Sequence, residues 1–151
     1  MSNPYKTREG GATVTVFVPY DCNNHCPFCI NKKEYADCTG FSLDAILDSI
    51  RTMDAITPRC DFVFTGGEPL VRKADILRLA KKHNDVQFAI YTNSTLIDEP
   101  FCEEVVKLGN IAFMLSIEGT PSTNDARRGD GHYAAVMNAM DSVSYTHLRA
   151  H

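Results

Sequence analysis

The stretch Asp61-Phe-Val-Phe-Thr-Gly-Gly-Glu-Pro69 joins an apolar run to a turn, and it sets the pattern for the whole chain. The run from Asp61 to Thr65 predicts a short strand, and a basic helix is expected from about Lys73 to His83. Between them, two glycines permit a tight turn and the proline prevents the strand from continuing. The stretch therefore predicts a strand, a turn and a helix in succession.

The same unit recurs along the chain. Further strands are predicted at Ala12–Val18, Val86–Thr92 and Ile111–Ile117. The other helices are expected from Ser42 to Met53, around Phe101 to Leu108 with a stop at Gly109-Asn110, and from about Tyr133 with Val136, Met137 and Met140 on one side. Strands that alternate with helices favour an α/β fold with parallel strands and right-handed crossovers. Chemistry is then expected at the carboxyl ends of the strands.

Three cysteines follow the first predicted strand directly, in Cys22-Asn-Asn-His-Cys26-Pro-Phe-Cys29. Thiolates this close in sequence can converge on one metal centre. A zinc ion would need a fourth protein ligand, for which Cys38 is better placed than His25, the direct neighbour of Cys26. An iron–sulfur cluster on three thiolates would instead keep one iron open for another molecule. The cysteines alone leave both metals possible.

Size and charge restrict the class of protein. The 151 residues suffice for one domain with a core. A net charge of -4 argues against a nucleic-acid partner and leaves small molecules or proteins. No apolar run is long enough to cross a bilayer, and residues 1–11 are polar rather than signal-like. The six cysteines are then expected to be reduced thiols in a cytoplasmic protein without a membrane partner.

The cysteine spacing C-x-x-x-C-x-x-C and the tetrad Gly66-Gly67-Glu68-Pro69, in this order and each after a strand, resemble the radical S-adenosylmethionine (SAM) superfamily. The resemblance covers about Val14 to Asp141. The residues of the later motifs are most similar to those of peptide-modifying maturases and molybdenum-cofactor cyclase-like members. The resemblance implies a partial (β/α) TIM-type barrel, of which about four of six βα units are present.

The resemblance also implies the cofactors and the reaction. A [4Fe–4S] cluster would be bound by Cys22, Cys26 and Cys29, with SAM on the open iron. One electron from a flavodoxin- or ferredoxin-type donor would cleave SAM, and the 5′-deoxyadenosyl radical would abstract hydrogen from an unknown small-molecule or peptide substrate. Such an enzyme is oxygen-sensitive. The residues implied in cofactor binding are Phe28, Gly66, Gly67, Glu68, Pro69, Asn93, Ser116, Glu118 and Arg128.

The resemblance also implies how several of these residues would bind the cofactors. Phe28 would lie beside the adenine, and the Glu68 carboxylate would accept from the SAM ammonium group. Asn93 belongs to Thr-Asn-Ser, where the family usually has Thr-Asn-Gly. The alternative for these residues is ordinary turn or loop structure, in which Asn and Gly are frequent.

Two later segments also resemble the family, one of them with Glu118 in place of the family's aspartate. Ser116-Ile-Glu-Gly119 resembles the family's Ser-Ile-Asp-Gly, and its Ser116 and Glu118 are expected on one face as strand neighbours two apart. In the polar loop predicted after it, Arg128 matches the arginine that contacts the SAM carboxylate. Its neighbour Arg127 is expected to be solvated.

The last residues look foreign to the domain. The helical pattern stops near Asp141, and Val143 to His151 resembles a translated sequencing adaptor. We therefore expect an incomplete radical SAM core at residues 1–141 and a non-native tail at 142–151, in a fragment that is itself inactive. The alternative is that these last residues are an ordinary polar C-terminal tail. Two other classes of protein remain open: a zinc-binding interaction module and an iron–sulfur electron-transfer protein.

Overall fold

Four parallel strands form the centre of the computed structural model, which describes residues 12–18, 21–30, 45, 52 and 60–149. The strands are β1 (Ala12–Val18), β2 (Cys60–Gly66), β3 (Gln87–Thr92) and β4 (Ile111–Leu115). They lie in the sheet in chain order, and each adjacent pair is parallel. Parallel neighbours joined one after the other by helical crossovers are the construction of a (β/α) barrel. The predicted fold class is confirmed.

Helices follow three of these strands. A short 3₁₀ helix (Pro69–Arg72) leads into α1 (Lys73–Lys82), and α2 (Glu99–Leu108) follows β3. After β4 come α3 (Pro121–Arg128) and α4 (His132–Arg149). The helix predicted from Ser42 lies outside the described residues, apart from Ala45 and Thr52, which are both helical. No helix in the described part of the chain is long and apolar enough to cross a membrane.

The prediction of a polar loop before the last helix was wrong. Residues 121–128 form α3, which begins with a proline and is capped by Thr120, whose hydroxyl accepts from the Thr123 N–H. The error has a physical cause, since Asn124 is the one buried residue of α3. A helix without an apolar stripe gives no hydrophobic periodicity to detect.

The last helix also differs from its prediction. It continues to Arg149 instead of ending near Asp141. Val136 is buried as expected, but Met137 and Met140 are 37% and 42% exposed, and Ala139 is the buried residue of the next turn. The contact face is therefore rotated away from the two methionines. Whether residues 142–151 belong to the natural protein stays a prediction.

The core lies between one face of the sheet and helices α1 and α2. Alternate residues of the central strands, such as Phe64, Phe88 and Ile90, are buried there, and the Phe64 and Phe88 rings stack with centroids 5.9 Å apart. On the opposite face of the sheet, β3 carries Tyr91, which is half exposed. This alternation follows from the two-residue repeat of a strand. All the motifs named above follow the carboxyl ends of these strands.

Candidate cofactor site

Backbone hydrogen bonds join the segments that follow the strands. The N–H of Glu68, after β2, donates to the carbonyl of Asp21 at 3.0 Å and so holds the tetrad against the segment that carries the cysteines, residues 21–30 (the cysteine loop). The N–H of Ser116, after β4, donates to the carbonyl of Thr92 at 3.0 Å. Motifs that are far apart in sequence thus meet at one edge of the sheet, as the βα alternation predicted.

The carboxylate of Glu68 is buried and accepts three hydrogen bonds from within the fold. Its Oε1 accepts from the Leu70 N–H at 3.0 Å and from the Thr92 hydroxyl at 2.7 Å, and its Oε2 accepts from the Asn93 N–H at 2.7 Å. Burial raises the pKa of Glu68, while these three hydrogen bonds lower it. The sequence analysis missed that Glu68 caps the 3₁₀ helix. Pro69, at the first position of that helix, was the signal that could have indicated a cap at Glu68.

Gly66 and Pro69 behave as the turn reading predicted. Gly66 has a φ of 116°, a value that L side chains rarely adopt. Pro69 opens the 3₁₀ helix, where a missing N–H costs nothing. Turn and cofactor site are therefore compatible descriptions of the tetrad.

Asn93 connects β3 to the cysteine loop. Its Nδ2 donates to the Asn23 Oδ1 at 2.9 Å and lies 4.0 Å from the Cys22 Sγ, while its Oδ1 accepts from the Thr95 N–H and hydroxyl. Asn23 in turn donates from Nδ2 to the Thr95 hydroxyl at 2.8 Å. This closed set of hydrogen bonds fixes the residue next to Cys22.

Ser94 is the first residue beyond this set, and its backbone is strained. Its φ of 72° lies in the left-handed region, which a side chain disfavours. Its side chain is buried, and Oγ has no hydrogen-bond partner within the described ranges. The family's glycine at this position is therefore the residue that the backbone favours.

The three cysteines of the loop are free thiols, with Cys22 exposed and Cys26 and Cys29 half-buried. Burial is the main cause that raises the pKa of Cys22 and of Cys26, and the neighbouring thiolates add to it. For Cys26 the charge of Arg128 acts in the opposite direction. The thiols are thus close enough to influence one another electrostatically.

The described residues contain no group of three or more His, Cys, Asp or Glu side chains arranged to hold a metal ion. Cys38, the alternative fourth ligand for zinc, lies outside them. In an iron–sulfur cube each thiolate binds a different iron, so its ligands surround a larger object than one ion. The assignment of the three cysteines as ligands stays a prediction.

Two arginines of α3 lie over the Phe28 ring of the cysteine loop and also pair with Glu118. Arg128 donates to Glu118 Oε1 from Nη2 at 2.7 Å and Nε at 3.2 Å, and Arg127 Nε lies 3.3 Å from Oε2. The hydrogen bond from Arg128 is the main cause that lowers the pKa of Glu118. Arg127 is solvated as expected, with a side chain that is 51% exposed, and its Cζ also lies 4.2 Å from the centroid of the Phe28 ring.

Ser116 and Glu118 do not lie on β4, which ends at Leu115. The expectation that they are strand neighbours on one face was therefore wrong. The Glu118 N–H donates to Asn124 Oδ1 at 3.0 Å, while the Glu118 carboxylate accepts from Arg128. Ser116 thus keeps a hydrogen bond to β3, through the Thr92 carbonyl, whereas Glu118 is bonded to α3.

Sequence reasoning also missed Asn124 and His132. Asn124 is completely buried, and its Nδ2 lies 3.0 Å from the Nδ1 of His132, which is 4% exposed. Asp125 accepts from the N–H groups of Gly131 and Tyr133 and so caps the start of α4. An Asn followed by Asp in a charged segment was the signal that could have indicated a cap.

Comparison with known proteins identifies the family of the chain. The model of the radical SAM superfamily matches residues 16–144. An uncharacterised protein of Archaeoglobus fulgidus is 36% identical over 121 residues, which are 80% of this chain and 29% of that protein. One of Methanocaldococcus jannaschii is 32% identical over 105 residues, 65% of this chain and 35% of that protein. The chain thus spans about a third of the length of the curated relatives it matches.

Solved structures share the fold. Native anSMEcpe with bound AdoMet and Kp18Cys peptide has a TM-score of 0.75 at 22% identity, over 90% of this chain and 41% of that one. Streptococcus suis SuiB bound to precursor peptide SuiA has a TM-score of 0.63 at 19% identity, over 89% and 30% of the two chains. A [4Fe–4S] cluster and SAM are the cofactors characteristic of the matched family. The family match over most of its length shows that this chain belongs to the radical SAM superfamily.

Proposed function

We propose that this chain binds a [4Fe–4S] cluster through Cys22, Cys26 and Cys29 and binds SAM beside it, in an enzyme that abstracts hydrogen with a 5′-deoxyadenosyl radical. The observation that carries the proposal is the bond from the Glu68 N–H to the Asp21 carbonyl. It holds the cysteine loop against the tetrad, so that an open iron on the loop lies next to the residues implied in SAM binding.

The residues fit the cluster in their chemistry. Three free thiols lie on one short loop, and the charge of Arg128 on α3 favours the thiolate of Cys26. Three thiolates leave one iron of a cube without a protein ligand. When bound, the cluster supplies the electron that cleaves SAM.

Arg128 suits a carboxylate of the cofactor. Glu118 takes the N–H groups of Nε and Nη2, which leaves Nη1 without a partner among the described residues. A guanidinium already oriented by one carboxylate can bind a second one with little loss of rotamer freedom. Glu118 is then a positioning residue for Arg128. This role replaces the direct contact with the cofactor that the resemblance implied for Glu118.

Phe28 and Asn93 support the site in different ways. Phe28 is 40% exposed next to Cys29 and presents an apolar surface that can shield a cluster or pack against adenine. Asn93 is 7% exposed and fixes the loop through Asn23. Neither residue needs to move protons, and both act by placing the loop and excluding water.

The proposed substrate is a peptide. Two of the similar solved structures contain peptides, Kp18Cys with anSMEcpe and SuiA with SuiB. The proposed electron donor is a flavodoxin- or ferredoxin-type protein, as the family resemblance implies. Both proposals concern the enzyme as a whole, of which the chain covers a part.

Anaerobic reconstitution tests the proposal. The chain is expected to take up about four irons and four sulfides, and Cys22→Ala, Cys26→Ala or Cys29→Ala to abolish this. Cys102→Ala is the matched control, because that thiol is buried on α2 and away from the loop. Equal iron loss from Cys102→Ala, or zinc in place of iron and sulfide, would contradict the proposal.

A further inference from the structure

Helix α3 places two positive charges over the ring of Phe28. The Cζ atoms of Arg127 and Arg128 lie 4.2 Å and 5.4 Å from the ring centroid. The Cys29 N–H donates to the Cys26 carbonyl at 3.1 Å, so the backbone turns between these two cysteines and Phe28 lies within the turn. Both guanidinium groups are therefore held against the segment that joins two of the proposed cluster ligands.

Glu118 balances only one of these two charges. Its carboxylate pairs with Arg127 Nε at 3.3 Å and with Arg128 Nη2 at 2.7 Å. The hydrogen bond from Arg128 lowers the pKa of Glu118, so the carboxylate is ionised at neutral pH and the three groups together keep one positive charge. This charge acts on the loop: burial raises the pKa of Cys26, and the charge of Arg128 opposes that effect.

Arg127 has no part in the cofactor contacts proposed above. The resemblance assigns Arg128 to a carboxylate of SAM and leaves Arg127 without a role. The Arg127 side chain is 51% exposed, against 14% for Arg128, so contacts with the ring and with Glu118 hold it in place rather than burial. A charge fixed in this way can act on the loop through its field, without binding a ligand.

The sign of that effect follows from the charge of the proposed site. An electron that enters a [4Fe–4S] cluster on three thiolates adds negative charge to a site that is already negative. A cation beside the ligands stabilises the reduced form more than the oxidised form, and it therefore raises the reduction potential. Access of water acts in the same direction, because water also favours the more highly charged form.

We propose that Arg127 raises the reduction potential of the cluster bound by the cysteine loop, through a charge held over Phe28 and anchored by Glu118. The inference rests on the proposed function, in which one electron from a protein donor enters this cluster. Arg127 contacts neither SAM nor substrate in this role and acts through its charge alone. It makes the transfer of that electron from the donor more favourable.

A redox titration measures this potential directly. The chain is reconstituted anaerobically with iron and sulfide, without SAM, and titrated with dithionite and redox mediators while EPR spectroscopy counts the reduced cluster. Arg127→Gln keeps a hydrogen-bond donor for Glu118 and removes the charge. Because this charge is half exposed, the ratio of reduced to oxidised cluster at a fixed potential is expected to fall about two- to tenfold. At about 59 mV for each tenfold change in a one-electron equilibrium, the midpoint then falls by about 20–60 mV.

Two control variants and a change of salt assign the shift to the charge of Arg127. Arg127→Lys keeps the charge and is expected to keep the midpoint of the parent. Arg78→Gln removes the same charge from an exposed arginine that pairs with Asp75 on α1, and it is expected to leave the midpoint unchanged. Raising the salt from about 0.1 M to about 1 M shortens the Debye length from about 10 Å to about 3 Å and is expected to reduce the difference between parent and Arg127→Gln.

The sign of the shift separates charge from structure. A loop that only loosened without Arg127 would admit water and raise the midpoint, whereas a loop tied by its three thiolates is expected to show the lost charge as a fall. A midpoint of Arg127→Gln that rises or stays unchanged, or an equal fall in Arg127→Lys or Arg78→Gln, would overturn the inference. So would failure of Arg127→Gln to take up iron, which would assign Arg127 to the assembly of the loop.

Iron and sulfide are counted before the titration. A parent chain that binds neither contradicts the proposed function and this inference with it. A parent and an Arg127→Gln variant that are equally loaded and have equal midpoints contradict only the role of Arg127.

Discussion

The backbone N–H of Asn93 donates to Oε2 of Glu68 at 2.7 Å, although the two residues are 25 positions apart in the chain. This bond joins the end of β2 to the end of β3. The Glu68 N–H also donates to the Asp21 carbonyl, so one residue holds three successive segments together. The tetrad is therefore part of the scaffold under the cysteine loop, whatever it contacts in a cofactor.

Glu68→Gln is expected to lower stability as well as SAM binding. An amide offers one acceptor oxygen where the carboxylate offers two, and its NH₂ group would face a backbone donor. We expect a loss of about 1–3 kcal/mol in the free energy of unfolding, measured with urea on the metal-free chain. Thr92→Val is the comparison variant: it removes one of the three hydrogen bonds to Glu68 together with the acceptor of the Ser94 N–H, and so it measures the loss of hydrogen bonds here with the carboxylate kept.

The same substitution tests the proposed SAM contact. In a full-length, cluster-loaded enzyme, Glu68→Gln is expected to weaken SAM about tenfold or more with unchanged iron content. SAM affinity equal to that of the parent, together with lower stability, would show that the carboxylate acts only in the fold.

Ser94→Gly is expected to stabilise the chain by about 1 kcal/mol, because glycine adopts the φ of 72° without strain. Ser94→Ala separates the causes, since it removes the unpaired hydroxyl but keeps the strained backbone. We expect a rise in the thermal midpoint that is larger for glycine than for alanine. Equal shifts would assign the cost to the hydroxyl rather than to the backbone.

Arg127→Gln is expected to loosen the cysteine loop. The substitution removes the cation that lies over the Phe28 ring and one ion pair to Glu118. An exposed cation–π contact contributes about 0.5–1 kcal/mol, so alkylation of Cys26 and Cys29 by iodoacetamide should be about two- to fivefold faster. Mass spectrometry of the loop peptide measures this in the metal-free chain. Arg78→Gln, a change on exposed α1 surface, should leave the rate unchanged.

The ion pair of Asp98 with Lys73 predicts a dependence of stability on acid. The hydrogen bond from Lys73 is the main cause that lowers the pKa of Asp98 below 3.8. A carboxylate with a depressed folded pKa stabilises fully above its unfolded pKa and loses this contribution as pH falls through the folded value. The pair is half-exposed, so the contribution is small, at most about 1 kcal/mol.

Asp98→Asn is therefore expected to be less stable than the parent at neutral pH, and the difference should be much smaller at an acid pH below the depressed pKa of folded Asp98, which itself lies under 3.8. Urea unfolding at both pH values measures it. Asp85→Asn, at an exposed turn, serves as the control. A difference that persists unchanged in acid would assign the effect to the helix cap, in which Asp98 accepts from the Phe101 N–H.

The origin of residues 142–151 is open to a test at the nucleotide level. We expect adaptor sequence downstream of the Asp141 codon, and a longer homologous gene that diverges there. The helix that continues to Arg149 is compatible with either origin. An independently cloned genome that encodes Val143 to His151 would contradict the prediction.

The amino-acid sequence by itself determined the order of strands and helices and the family. Hydrophobic periodicity is a local property, so β1 to β4 and the amphipathic helices α1 and α2 could be read from it. The cysteine spacing and the tetrad are also local, and the family match confirms the resemblance they carried. The charged helix α3 was not predicted, because it buries a single residue, Asn124.

Only the tertiary structure decided how the side chains of the site are paired. Glu68 with Asn93, Arg127 with Phe28, and Asn124 with His132 are contacts for which no spacing rule exists. They form because parallel crossovers bring the carboxyl ends of successive strands to one edge, where burial makes an unpaired polar group costly. The sequence could predict that the motifs gather at the carboxyl ends of the strands. Which side chains pair there depends on how neighbouring groups compete for the same donors and acceptors in the folded chain.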